Sequence, residues 1–483
     1  MINLENKDVL ERELHRVWEL EPRLKPRPEL HDYLLTYPPA IHLSTPPYKK
    51  TDLTIDQFQH FAIGDHKAAA YYFHFGFCKY RCRYCFHYEL SVQKDEELMK
   101  HYVEMLSKEM ELLSKLRSKD NKKLKTGLFF LGGGTPTALP TYLLDLFLQN
   151  LNKNFGSPPT TMSTVEAKPI TVTPQKLRLL VDAGFRRINL GVQTLDPKLY
   201  AFHHHNENIQ VAMDAIIAAK QAGFSYINID IMTGLEGQTP QSWEYTLQSI
   251  QKLIEQNYID SVFIYPFHDD PRSVTYQNQN RVPTFLETAH SDVLAREMFE
   301  SLGWRELGAR FYRSPRHIRR EIIELAKTRI NPAYGEVLYH GFGNSSFSIG
   351  DRATYLNHRD ISLYNKQVAQ GKLGISHWTT ISDAQRSTRD IVFDLLYAPI
   401  TRIRSRQKKY GKEHVQIHTD LMERWIELGL GQKHRLFGTF SLTKLGKLLH
   451  QQMIPLHYLP SDRDGFWNVM DQRKAQGKKY RGY

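Results

Sequence analysis

The sequence predicts an α/β fold in which short parallel strands and helices alternate around a partial (β/α)6 barrel. Short apolar runs rich in β-branched and aromatic residues take turns with longer stretches of helical periodicity through the middle of the chain. The residues with chemical potential fall just after those apolar runs, where α/β folds gather their ligands. Past about residue 375 the alternation gives way to helical segments of a different character.

The strands are read in order as AAAYYFHF at 68–75, GLFFLGG at 127–133, TVEAK at 164–168, RINLGV at 187–192, YINIDIM at 226–232 and SVFIYPF at 261–267. Stretches such as ELMKHYVEMLSKEMELLSKL at 97–116 place apolar residues at helical spacing between them. Residues 66–370 therefore form the barrel core. Ahead of it, residues 1–65 hold an amphipathic helix and then a passage punctuated by Pro22, Pro26, Pro28, Pro38, Pro39, Pro46 and Pro47, which reads as an N-terminal extension. Behind it, residues 371–483 form a small helical, winged-helix-like accessory domain with a short β-wing and a basic tail. A winged helix suits DNA or a docking lid, and the lid is the reading adopted.

The 483 residues are 41% hydrophobic, enough for a sizeable core. No apolar run reaches membrane-spanning length, and the N-terminus is charged from Glu5 onward, so the expectation is a cytoplasmic monomer without a transmembrane segment. Lys and Arg total 64 against 52 Asp and Glu, a formal charge of +12 that suits an anionic partner. The basic runs at 115–125 and 473–483 lack interleaved aromatics and read as solvated loops, so no nucleic acid is expected.

The chain has three cysteines, Cys78, Cys82 and Cys85, in the spacing C-x3-C-x2-C. Soft thiolates bunched in this way suit zinc, with His87 or His74 completing the shell, or an iron–sulfur cluster that keeps one iron open. Beyond them, GGGTPT at 132–137 is either a tight turn or a close approach of backbone to a polar ligand. Glu166 and Asp230, at strand ends, either cap helices or accept hydrogen bonds from hydroxyl or ammonium groups.

In this order and spacing, the cysteine motif, GGGTPT, VEAKP at 165–169, GFRRINLGVQTLD at 184–196 and INIDIMTGLEGQT at 227–239 resemble the radical S-adenosylmethionine (SAM) enzymes. More narrowly they are similar to the HemN-like family, that of the oxygen-independent coproporphyrinogen III oxidases. The resemblance spans roughly residues 68–365. It implies a [4Fe–4S] cluster on the cysteines and two SAM molecules. One would lie near Tyr72, Gly133, Glu166, Pro266 and Phe347, the other near Tyr84, Gly134, Thr135, Gln193 and Asp230. His204 stands where the family places arginine, and a histidine is only partly charged near neutral pH. His87 stands where the decarboxylating members have a further cysteine.

Tyr84 and His87 are thus the candidate catalytic residues. The resemblance ranks methyl or methylene transfer to an sp2 carbon first, because the fourth cysteine is missing while Gln193 and Asp230 are retained. Porphyrin chemistry, as coproporphyrinogen III decarboxylation or haem ring opening, comes second, and a non-enzymatic haem chaperone third. The expected partners are a flat or conjugated, anionic small molecule and an electron donor such as flavodoxin or ferredoxin.

Overall fold

The computed structural model describes residues 4–26, 37–38, 53–85, 90–91, 96–116, 124–159, 161–204, 206–268, 270, 272–278, 281–307, 310–319, 337–397, 400–434 and 438–476. All six apolar runs form strands: β1 (Ala68–Phe75), β2 (Lys125–Gly133), β3 (Thr164–Ala167), β4 (Arg187–Gln193), β5 (Tyr226–Thr233) and β6 (Ser261–Pro266). They lie side by side in chain order, and each adjacent pair is parallel. The helices between them start on local signals. Thr173 and Thr239, each followed by proline at the first helical position, accept the backbone N–H of Lys176 and Ser242. Thr284 and Glu287 close a reciprocal capping box ahead of the helix Phe285–Ser301.

Strand alternation gives the sheet two unlike faces. Ile188, Leu190 and Val192 of β4, Ile227, Ile229 and Ile231 of β5, and Val262 and Ile264 of β6 lie in the main hydrophobic core. The residues between them, Arg187, Asn189, Gly191, Gln193, Asn228, Asp230, Phe263 and Tyr265, belong to the opposite, inner face. A parallel sheet covered on both faces reads as continuously apolar. Here the inner face is polar and aromatic, which leaves it as the place for a ligand.

The sheet is wider than its six-strand reading. Beyond β6 it adds β7 (Arg305–Glu306) and β8 (Phe311–Arg313), and beyond β1 it adds β9 (Leu338–Phe342), β10 (Phe347–Ile349), β11 (Ala353–Asn357) and β12 (Ile375–Thr380). β9 runs parallel to β1, whereas β8, β7, β10, β11 and β12 join antiparallel. β7 and β12 are the two edges of a twelve-stranded sheet, so the barrel stays open. β12 extends the sheet past residue 370.

The helix Lys7–Leu20, capped by the Asn6 side chain, buries Leu10, Leu14 and Val17. They share a core with Ile391, Val392, Trp425, Leu445 and Phe466, so this first helix is built into the C-terminal region. The β-wing is the hairpin Gly431–His434 with Thr439–Leu442. Among the described residues no helix is long and apolar enough to cross a membrane. Most of the two basic runs, at 117–123 and 477–483, lies outside the described residues.

One buried carboxylate ties the added strands to the barrel. Glu109, on the helix Glu96–Leu116, accepts the N–H of Gly343 and of Gly374, the Tyr364 hydroxyl and the Asn357 amide. Burial pushes its carboxyl up, and these four donors pull it back. Glu109→Ala would strand them, and each unmet buried donor costs about 1–3 kcal/mol. The expected loss is about 3–5 kcal/mol, read as a fall in the denaturant midpoint, with a smaller fall for Glu109→Gln.

Candidate functional site

The loop that leaves β1 carries the cysteines. Phe77–Cys78 forms a two-residue parallel bridge to Leu90–Ser91, and the Cys85 N–H closes a turn onto the Cys82 carbonyl at 3.1 Å. Cys82 is buried, and Cys78 and Cys85 are half-buried. Among the described residues, no three His, Cys, Asp or Glu side chains converge on one ion position. A single zinc needs that convergence, whereas a [4Fe–4S] cube takes each cysteine on a separate iron. His74 Nδ1 faces the Tyr72 hydroxyl at 3.1 Å. His87 lies outside the described residues. Side chains reach the sulfurs: the Thr135 hydroxyl is 3.4 Å from Cys78 Sγ, Lys168 Nζ donates to Cys82 Sγ at 2.7 Å, and the Tyr84 hydroxyl also hydrogen-bonds Cys82. The donor set fits the cluster.

The glycines do something other than expected. The sequence reading gives their amides to a ligand, but the Gly134 N–H donates to the Phe75 carbonyl at 2.7 Å and the Thr135 N–H to the Phe77 carbonyl at 2.8 Å. The Gly133 N–H meets Glu166 at 3.2 Å. These amides therefore fasten the cysteine loop and a carboxylate to β2. Gly133 has a φ of +102°, and a Cβ there would come within 2.6 Å of His74. On Gly134 it would come within 2.7 Å of the Phe75 and Phe77 carbonyls.

On the inner face, Glu166 of β3 and Asp230 of β5 influence one another. Burial pushes Glu166 up to about 8, with the negative Asp230 adding to the shift and the Gly133 N–H opposing it. Burial likewise raises Asp230 to about 7, against a 2.7 Å hydrogen bond from Asn228 and the charge of Arg187. Gln193 follows a register shift in β4 and has a φ of +70°, the left-handed region that a side chain rarely adopts. Tyr72 lies between Phe130 and Tyr339, and its register partner on β9 is Gly341, whose space on the Cβ side is filled by the Phe347 carbonyl. Pro266 ends β6, opposite Thr233. Tyr84 packs with Leu199, Met232 and Leu235, past the end of β5.

Residues 72–250 match the Radical SAM superfamily. An oxygen-independent coproporphyrinogen III oxidase of Helicobacter pylori is 21% identical over 437 residues, covering 86% of this chain and 92% of the oxidase. The heme chaperone HemW of Bacillus subtilis is 29% identical over 207 residues, which is 42% of this chain and 52% of the chaperone. Among solved structures, coproporphyrinogen III oxidase HemN from Escherichia coli superposes with a TM-score of 0.74 at 18% identity, over 87% of this chain and 96% of that one. Residues 72–250 therefore carry a radical SAM domain, and over most of its length the chain is similar to HemN-like proteins. Its cofactors are a [4Fe–4S] cluster and SAM.

In this HemN-like protein, two of the sequence-derived site residues need comment. His204 is fully buried, its ring stacked 4.2 Å from that of Tyr200 with Tyr84 at its edge and its Nδ1 on the Tyr200 carbonyl. His87, outside the described residues, has no structural account. Further residues around the cysteine loop were not singled out from the sequence. Arg83, between two cysteines, pairs with Glu236 at 3.0 Å, and Thr275 donates to the same carboxylate. Glu236 lies in GLEGQT, inside the motif at 227–239. Tyr80 hydrogen-bonds Glu207. Arg187 and Arg313 both reach Phe311 on the inner face, with guanidinium carbons 5.5 and 4.2 Å from its ring centre. Burial, and then the charge of Arg187, lowers Arg313 to about 9.

Two outcomes are expected. Cys82→Ala protein prepared without oxygen should lose iron and broad visible absorbance, as measured by metal analysis and spectroscopy. In the cluster-free protein, Glu166 and Asp230 hold protons that the unfolded chain releases near its ordinary carboxyl values of 4.5 and 3.8. The native state thus binds more protons between about pH 4 and 8, and stability should fall as pH rises through that window. Denaturant midpoints against pH should show a flatter slope for Glu166→Gln.

Proposed function

We propose that this protein is a radical SAM enzyme acting on a flat, carboxylate-bearing molecule of the porphyrin type. The observation behind the proposal is the inner face itself, where aromatic rings stand beside two buried guanidiniums. Phe263 stacks on Tyr265 at 4.1 Å and lies 5.4 Å from Phe311, while Tyr72, Phe130 and Tyr339 form a second aromatic group. Arg187 is 8% exposed and, among the described residues, forms no ion pair. Burial lowers it, and Asp230 restores part of its preference for the charged form. A planar ligand offers rings to the first feature and acid groups to the second.

Cys78, Cys82 and Cys85 would hold the cluster, which with SAM would supply radical hydrogen-abstraction chemistry at an unactivated position. The chain's own groups do the rest. Arg187 and Arg313 orient the substrate's carboxylates, the rings hold its plane, and Glu166 and Asp230, protonated near neutrality, both donate to and accept from hydroxyl and amine groups. The likeness to the Helicobacter pylori oxidase runs through the accessory region as well as the barrel, which supports a related substrate. The relatives described above are coproporphyrinogen III oxidases and a heme chaperone, so porphyrin chemistry moves ahead of methyl transfer.

The test is an oxygen-free assay of the reconstituted protein with SAM, a reductant, and either coproporphyrinogen III or haem, followed by mass spectrometry. SAM consumption that depends on the tetrapyrrole is expected. Loss of carboxyl groups identifies decarboxylation, and a gained methyl group identifies methyl transfer. Tetrapyrrole binding without SAM consumption would overturn the enzyme reading in favour of a chaperone. Arg187→Met should raise KM for the carboxylated substrate about tenfold or more and change kcat less, since a charge-assisted hydrogen bond contributes about 1.5–3 kcal/mol.

A further inference from the structure

We infer that Lys168 tunes the reduction potential of the cluster, acting through Cys82. The inference rests on the assignment of the cluster to the three cysteines. Lys168 lies two residues past Glu166, at the exit of β3, and its backbone is held firmly. Its carbonyl accepts both the N–H of Thr171 at 2.8 Å and the hydroxyl of Thr171 at 2.7 Å, and Pro169 follows it. From there the side chain runs to the cysteine loop. Nζ is 2.7 Å from Cys82 Sγ and 3.7 Å from the centre of the Tyr80 ring. Tyr80 is itself anchored to Glu207.

Lys168 is only 8% exposed, and among the described residues no carboxylate pairs with it. A buried ammonium without a counter-charge is strongly disfavoured. The thiolate of Cys82, the one fully buried cysteine of the three, supplies that charge. A charge-assisted N–H to sulfur bond in a low-dielectric setting stabilises the electron-rich state of the sulfur. When the cluster accepts an electron its sulfurs gain negative charge, so the same bond becomes stronger in the reduced state. Hydrogen bonds to the sulfurs and local charge are the levers by which a protein sets such a potential. Lys168 therefore raises the potential and brings the cluster within reach of a weaker reductant. The cation over the Tyr80 ring keeps the ammonium on the sulfur side.

The test uses the full chain, reconstituted with iron and sulfide without oxygen, and follows the reduced cluster by electron paramagnetic resonance in a titration with dithionite and dye mediators. In Lys168→Gln, the ratio of reduced to oxidised cluster at a fixed solution potential should fall about tenfold or more, equivalent to about 59 mV for a one-electron couple. Lys168→Arg should recover part of the difference. If Lys168→Gln fails to retain iron, Tyr80→Leu provides the second reading. It keeps the lysine but removes the ring that holds it, and the ratio should fall in the same direction by a smaller factor. An unshifted ratio in an iron-replete variant overturns the inference alone. A wild-type chain that takes up no iron overturns the cluster assignment together with it.

Discussion

Everything chemical in this molecule depends on two backbone hydrogen bonds just beyond the β1–β2 ladder, from Gly134 to Phe75 and from Thr135 to Phe77. They continue the parallel pairing past the end of the strands, so the cysteine loop leaves the sheet at a fixed height beside β2. Only a residue without a side chain fits at Gly134, because the two carbonyls that flank it lie within 2.7 Å of where a Cβ would be. From that seam the geometry propagates. Thr135 is brought to Cys78, Gly133 to Glu166, and through β3 Lys168 to Cys82. A one-residue slip between β1 and β2 would exchange the two faces of either strand and dissolve the site.

The inner face concentrates groups whose charges are not fully balanced by the protein. Two carboxyls are raised by burial, and two guanidiniums are lowered by it. Other buried charges have direct ionic partners: Arg406 bridges Asp390 and Asp394, and Arg310 meets Asp292. The contrast marks the inner face as a region where stability is given up for binding. A ligand that brings its own hydroxyl, amine and carboxylate groups completes the balance.

The six core strands were legible because each is a short, mostly apolar segment with a helical stretch behind it, and helix starts such as Thr239-Pro240 announce themselves locally. The outer strands were not. β8 and β10 are three residues long, too short for periodicity to register, and they exist because neighbouring strands offer an edge to pair with. The fusion of the first helix with the C-terminal core joins residues nearly a full chain length apart, which no local pattern encodes. Sequence spacing placed the cysteines after β1 and Glu166 near the end of β3, whereas Asp230 lies inside β5, three residues before its end; nor could spacing tell which amides were already committed or that His204 would turn its ring onto Tyr200. Arg187 was visible as a charged residue in an otherwise apolar strand. Its significance required knowing which face it occupies.

The accessory region bears on the inner face through one edge of the open sheet. The accessory region is clamped to the β7 edge through Glu306, which accepts from Arg296 and from Lys447, with Lys444 bonded to Glu297 and Glu300 alongside. Burial alone would push Glu306 up, yet Arg296 and Lys447 together hold it down at about 2. The clamp therefore stays charged throughout the physiological range. It fixes β7, and β7 pairs with β8, the strand that bears Phe311 and Arg313. The clamp thus steadies the strand that brings Phe311 and Arg313 beside Arg187 of β4, so the pair of guanidiniums proposed to meet the substrate depends on the accessory region as well as on the barrel.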